Sequence, residues 1–122
     1  MKAPLDRTPY PKHPRSRPIQ RGIADGGYVY VQDSQGVIWV LEDGPHRHVR
    51  VLGNAEPAEY AGDLTIKHGR IKDVTKLSGA FQFDDVQDLL KVAEALEKCG
   101  FVVEPGAVRF FPMDGSAPKA LR

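Results

Sequence analysis

The spacing of apolar residues changes along this chain, and the changes divide it into elements. Residues 28–32 (YVYVQ) and 37–41 (VIWVL) are built from aromatic and β-branched types, which suit a pleated, half-buried surface. Between them Asp33-Ser34-Gln35-Gly36 has turn chemistry, with Gly where positive φ is easiest. An antiparallel hairpin is predicted. VIWVL scarcely alternates, which predicts an inner strand covered on both faces. Residues 48–52 (HVRVL) alternate Val49 and Val51 with His48 and Arg50 and predict a short third strand with a polar face. Residues 59–67 predict a fourth, with Tyr60, Leu64 and Ile66 on one face by period two. His68-Gly69 closes a hairpin onto a fifth strand over 70–76. There Ile71 and Val74 stand three apart, so a bulge or an early turn is needed.

Beyond Phe83 the period becomes helical. Val86, Leu89, Leu90, Ala93 and Leu96 form one stripe at i, i+3, i+4 spacing, which predicts an amphipathic helix over 84–99. Asp84 or Asp85 is the expected N-terminal cap, Asp84 with Gln87 having capping-box spacing. Gly100 is the expected left-handed stop. Residues 101–104 and 107–111, flanking Pro105-Gly106, predict a last hairpin. The fold class that follows is α+β: an antiparallel sheet of about five to six strands with one helix packed on one face. The folded domain is expected over 27–112, with a tail over 113–122.

Residues 1–26 differ in kind. Pro4, Pro9, Pro11, Pro14 and Pro18 remove backbone donors and fix φ, so an extended arm is predicted. Over residues 1–21, Lys2, Arg7, Lys12, Arg15, Arg17 and Arg21 face one acid, Asp6. The arm is therefore +5, and a chain of net +1 leaves −4 for the remainder. Such asymmetry points to an acidic or polyanionic partner, and arm and body complement each other in sign. Arg7, Lys12, Arg15, Arg17 and Arg21 are the candidate partner-binding residues.

A single cysteine, Cys99, excludes an intrachain disulfide and fits a reducing compartment. At the C-terminal end of a helix its thiolate is disfavoured, so it is expected to fill space rather than react. No apolar run approaches the roughly 18 residues of a membrane span. The N-terminus has no apolar h-region. A cytoplasmic protein is expected. His46 and His48 would share a face if this were strand, which makes them weak metal candidates; a third ligand, His68, Asp63 or Glu42, would have to come from elsewhere, and no Cys pair, HExxH helix or cofactor motif supports the site. A polar strand edge explains them as well. The aromatics Tyr28, Tyr30, Trp39, Phe81, Phe83, Phe110 and Phe111 could stack bases beside the arm; aromatics are only 8% of the chain, and a core needs most of them.

Four short motifs lie between residues 48 and 82: His48, Ala61-Gly62-Asp63, Gly69-Arg70-Ile71 and Ser78-Gly79. Their order resembles a domain of bacterial polymorphic-toxin-associated proteins and plant IQ-motif calmodulin-binding proteins. In that pattern a histidine precedes Ala-Gly-acid, Gly-x-Ile and Ser-Gly-His-Tyr. The resemblance covers about a third of the chain. It breaks where the pattern has His-Tyr and this chain has Ala80-Phe81, which removes an imidazole and a phenol. What the resemblance implies is therefore a scaffold rather than a working enzyme.

Three functions follow as expectations. The first is a non-catalytic protein-interaction module, accessory, regulatory or immunity-like, that self-associates through its arm. The second is a small-molecule-binding protein or degenerate enzyme with a site at His48, Tyr60, Asp63 and Ser78. The third is nucleic-acid binding through the arm.

Overall fold

The computed structural model describes residues 2–44, 47–76, 86–112 and 115–121, apart from the Val49 side chain. Its strands are β1 (Arg17–Pro18), β2 (Gly26–Gln32), β3 (Ile38–Glu42), β4 (Tyr60–Lys67), β5 (Arg70–Thr75), β6 (Val102–Val103), β7 (Val108–Phe110) and β8 (Lys119–Ala120). Its helices are α1 (His48–Leu52) and α2 (Val86–Lys98). The eight strands, more than the five to six expected, form one sheet in the order β1-β3-β2-β4-β5-β7-β8, with β6 also paired to β5, and the helices are two where one was expected.

The central hairpins form where the pattern predicts them. In the β2–β3 turn the Asp33 carboxylate accepts from the Gln35 and Val37 amides at 2.9 and 3.0 Å and from Trp39 Nε1 at 2.9 Å. One carboxylate thus holds both the turn and the indole of the following strand. The β4–β5 turn has His68 at φ 55° and Gly69 at φ 71°. Two consecutive positive φ values match the twist of a tight hairpin. Asp25 accepts from both of these amides, at 2.8 and 3.3 Å, and ties the turn to the chain ahead of β2. The register of β4 on β5 shifts between Thr65 and Ile66, so that Leu64 faces Val74 and Ile66 faces Ile71. This irregularity reconciles the three-residue spacing.

Paired residues point to the same side of a sheet. Tyr30, Val40, Gly62, Leu64, Ile66, Ile71 and Val74 therefore share one face. Leu89, Val92, Ala93 and Leu96 of α2 are buried with them in one core, and each large side chain contributes on the order of 2 kcal/mol by leaving water. Val29, Val31, Leu41 and Ala61 point to the opposite face together with Trp39 and Asp63, where Lys12 of the N-terminal segment lies over Trp39 and His48 of α1 lies by Asp63.

That segment is extended, as its prolines require, and it lies along its own body. Lys2 and Ala58 exchange backbone hydrogen bonds at 2.8 Å, the Asn54 amide donates to the Tyr10 carbonyl at 2.7 Å, and the His13 amide to the Arg50 carbonyl at 2.8 Å. Ser16 Oγ donates to the Val51 carbonyl at 2.6 Å. Arg17–Pro18 then adds β1 to β3, and Ile19 is buried. Gly53, at φ 76°, lets the Lys12 backbone pass, because a Cβ there would lie 2.5 Å from the Lys12 nitrogen.

Four expectations are corrected. HVRVL is helix α1, not a strand; its buried Val51 and half-buried Leu52 lie at i+3 and i+4 from His48, a stripe that a five-residue window cannot distinguish from alternation. The sheet is mixed, because β6 and β7 run parallel to β5. The last two segments consequently do not form a hairpin with each other. The offset to β5 grows by two residues between Val102 and Val108, so Pro105-Gly106 loops out of an interrupted strand whose turn is closed by the Ala107 amide on the Glu104 carbonyl at 3.0 Å. The C-terminal tail contributes β8, antiparallel to β7. The helix is described from Val86, and Gly100 ends it at φ 96°; the expected caps Asp84 and Asp85 lie outside the described residues.

Candidate functional site

The residues proposed for a ligand pocket do not all converge. His48 opens α1, and its Nε2 donates to the Gly62 carbonyl at 2.8 Å. Asp63 Oδ1 lies 3.9 Å from the same nitrogen. Burial lowers the His48 pKa, while the Gly62 hydrogen bond and the Asp43 charge oppose that. Tyr60 is fully buried and, by the alternation of β4, points to the face opposite Asp63. Ser78, Ala80, Phe81 and His46 lie outside the described residues, and no group of three metal-ligating side chains occurs among those described.

Gly62 is the structural centre of this region. A Cβ there would run into the Thr75 carbonyl. Because Gly62 has none, Tyr30 Oη donates to that carbonyl at 2.7 Å, and burial pushes the Tyr30 pKa well up. The short residue thus lets β2 bond to a strand two places away. The Asp63 amide also approaches Thr75 Oγ1, at 3.3 Å.

Around Asp63 the charges are negative. Burial first, then Asp43 and Asp73, push its pKa up to about 6. Asp73 has a partner, Arg109, with both carboxylate oxygens engaged at 2.6 and 2.7 Å. Neither Asp43 nor Asp63 meets a lysine or arginine among the described residues.

Where α1 meets the arm the charges are positive. Arg47 Nη1 lies 3.4 Å from His13 Nε2, and Arg50 Nε donates to the Pro11 carbonyl at 3.4 Å. Burial lowers the His13 pKa, and the charges of Arg47, Arg50 and Arg15 lower it further against a weaker opposing pull from Glu42. Lys12 places its ammonium 3.4 Å from the centroid of the Trp39 ring. Among the described residues neither Arg47 nor Arg50 meets a carboxylate.

The five arm cations therefore divide. Lys12 belongs to this cluster. Arg15 and Arg17 converge on Glu42, at 2.5 and 3.0 Å, and these two hydrogen bonds hold its pKa down at about 2. Arg21 packs against Gly100, and Arg7 is exposed. Sequence reasoning missed Arg47 and Arg50 because it placed them beside or on a strand. Nothing local marks their junction with the arm, since the partners there, His13 and Pro11, are distant in sequence. Cys99 is exposed, which corrects its expected role as filler: it follows the last turn of α2, beyond the buried stripe.

No protein-family model, curated protein or solved structure matches this chain. No helix among the described residues is long and apolar enough to cross a membrane.

Proposed function

We propose that this protein is a cytoplasmic, non-catalytic interaction module that docks an acidic protein surface on the cluster formed by Lys12, His13, Arg15, Arg47 and Arg50. One observation carries the reading: the arm and the α1 region bring the cations Lys12, Arg15, Arg47 and Arg50 together around His13, and only Arg15 has a carboxylate partner among the described residues. Unbalanced charge of this kind steers and orients an acidic partner. Protein is favoured over nucleic acid because, apart from the exposed Tyr10, the described rings are buried or covered. Lys12 covers Trp39, Lys76 covers Phe110 and Arg109 covers Phe111, while Tyr28 and Tyr30 are buried. Single strands need uncovered rings on which to stack.

A ligand site at His48 and Asp63 is the second reading, favoured by their 3.9 Å separation. It is the weaker one, since the Nε2 proton of His48 is committed to the Gly62 carbonyl. Titration with fluorescent poly-glutamate and with a single-stranded oligonucleotide tests the proposal. Poly-glutamate should bind, and Arg47→Glu with Arg50→Glu should weaken it about tenfold, or about 1.4 kcal/mol. Tighter oligonucleotide binding would shift the reading to nucleic acid, and binding of neither would end it.

A further inference from the structure

The cation cluster has a counterpart on the same molecule. Asp43 and Asp63 stand on the α1 side of the sheet, as Lys12, Arg47 and Arg50 do. His48 of α1 reaches Gly62 and Asp63, while Arg47, which precedes α1, and Arg50 within it reach His13 and Pro11. Among the described residues, neither set is neutralised by opposite charge within its own chain. A surface that carries both signs side by side is self-complementary under a two-fold axis, the geometry in which residue i meets residue j and j meets i.

We propose that the acidic surface this protein docks is that of a second copy of the same chain, the α1-bearing faces meeting so that Lys12, Arg47 and Arg50 of each copy oppose Asp43 and Asp63 of the other. The inference rests on the basic cluster being a protein-docking surface. The arms remain docked on their own chains in this arrangement. Their backbone bonds to Ala58, Asn54 and Arg50 hold Lys12 in place, so the arm presents this cation from a fixed position and is not exchanged between copies.

Sedimentation over a wide concentration range, at low and high salt, tests it by charge swapping. The wild type should dimerise at low salt and dissociate as salt screens the contact. Arg47→Glu with Arg50→Glu, and separately Asp43→Lys with Asp63→Lys, should each be monomeric alone. Mixed in equal amounts they should recover a dimer, because both junctions of the mixed pair again join opposite signs. Since Asp63→Lys alters a half-buried position, exposed Asp43→Lys alone serves as the second acidic-side variant and should weaken the dimer about tenfold or less. A wild type that stays monomeric at low salt, a dimer indifferent to both reversals, or mixed variants that stay apart would each overturn the inference. Poly-glutamate binding to a chain that stays monomeric would remove the second copy as partner and leave the docking surface standing.

Discussion

The two faces of the sheet are closed by different physical means. One lies under α2, whose apolar stripe comes from thirteen consecutive residues and buries Leu89, Val92, Ala93 and Leu96. The other lies under a five-residue helix and a proline-rich strap. That strap is attached chiefly through backbone groups, at Ala58, Asn54, Arg50, Val51 and Ile38. The first cover is specified by side-chain periodicity. The second is specified by places where two backbones come close, which depend on residues that lack side-chain bulk and on a segment already extended before it docks. A polar, basic stretch can thus complete an apolar core without being apolar.

The sharpest way to break this comparison is at the glycines. Gly62→Ala would drive a methyl into the Thr75 carbonyl and displace the Tyr30 bond across β4. A loss of about 3 kcal/mol is expected from overpacking of this kind, measured by urea unfolding; a change below about 1 kcal/mol would show that β5 yields easily. Gly53→Ala acts on the strap alone. Positive φ and the closeness of Lys12 should together cost about 2 kcal/mol, and the strap should become sensitive to trypsin at Arg7, Lys12 and Arg15 while the α2 side stays protected. Equal protection in the variant and the parent would mean that the strap is held without this approach.

Smaller effects come from charge. An acid whose pKa is raised on folding, as Asp63 is, to about 6 from 3.8, favours the folded state while protonated. That advantage is lost as pH rises from 3.8 through 6. Asp63→Asn should therefore stabilise the protein at pH above 6 by about 1 kcal/mol, a figure reduced for solvent screening of a side chain 43% exposed, and by almost nothing near pH 4. A gain independent of pH in thermal melts would rule out this origin. Glu42 behaves oppositely. Its depressed pKa gives a contribution present above 4.5 and lost as pH falls toward about 2. Glu42→Gln should flatten that part of the acid profile and loosen Arg15 and Arg17 first, with added salt reducing the difference.

Much of the α2 side was legible in the sequence. Gly36 and Gly69 at positive φ, the register shift opposite Ile71 and Val74, and the stripe from Leu89 to Leu96 are all local signals. The parallel strands were harder. Pro105-Gly106 looks like a hairpin turn, whereas the intervening helix carries the chain back to run alongside β5, as parallel pairing requires a crossover. α1 was missed because five residues carry both periods. The candidate site was only half legible: the charge of the arm could be counted, but its junction with Arg47 and Arg50 depends on contacts across more than thirty residues.

The looped-out Pro105-Gly106 has a practical consequence. Val102–Val103 and Val108–Phe110 are each paired on β5, so the strand is held on both sides of the interruption. Extra residues placed there leave both registers alone and add only a slowly growing closure entropy. The position is thus a natural point for inserting a short epitope or a labelled loop, on a segment with exposed Pro105 and Gly106.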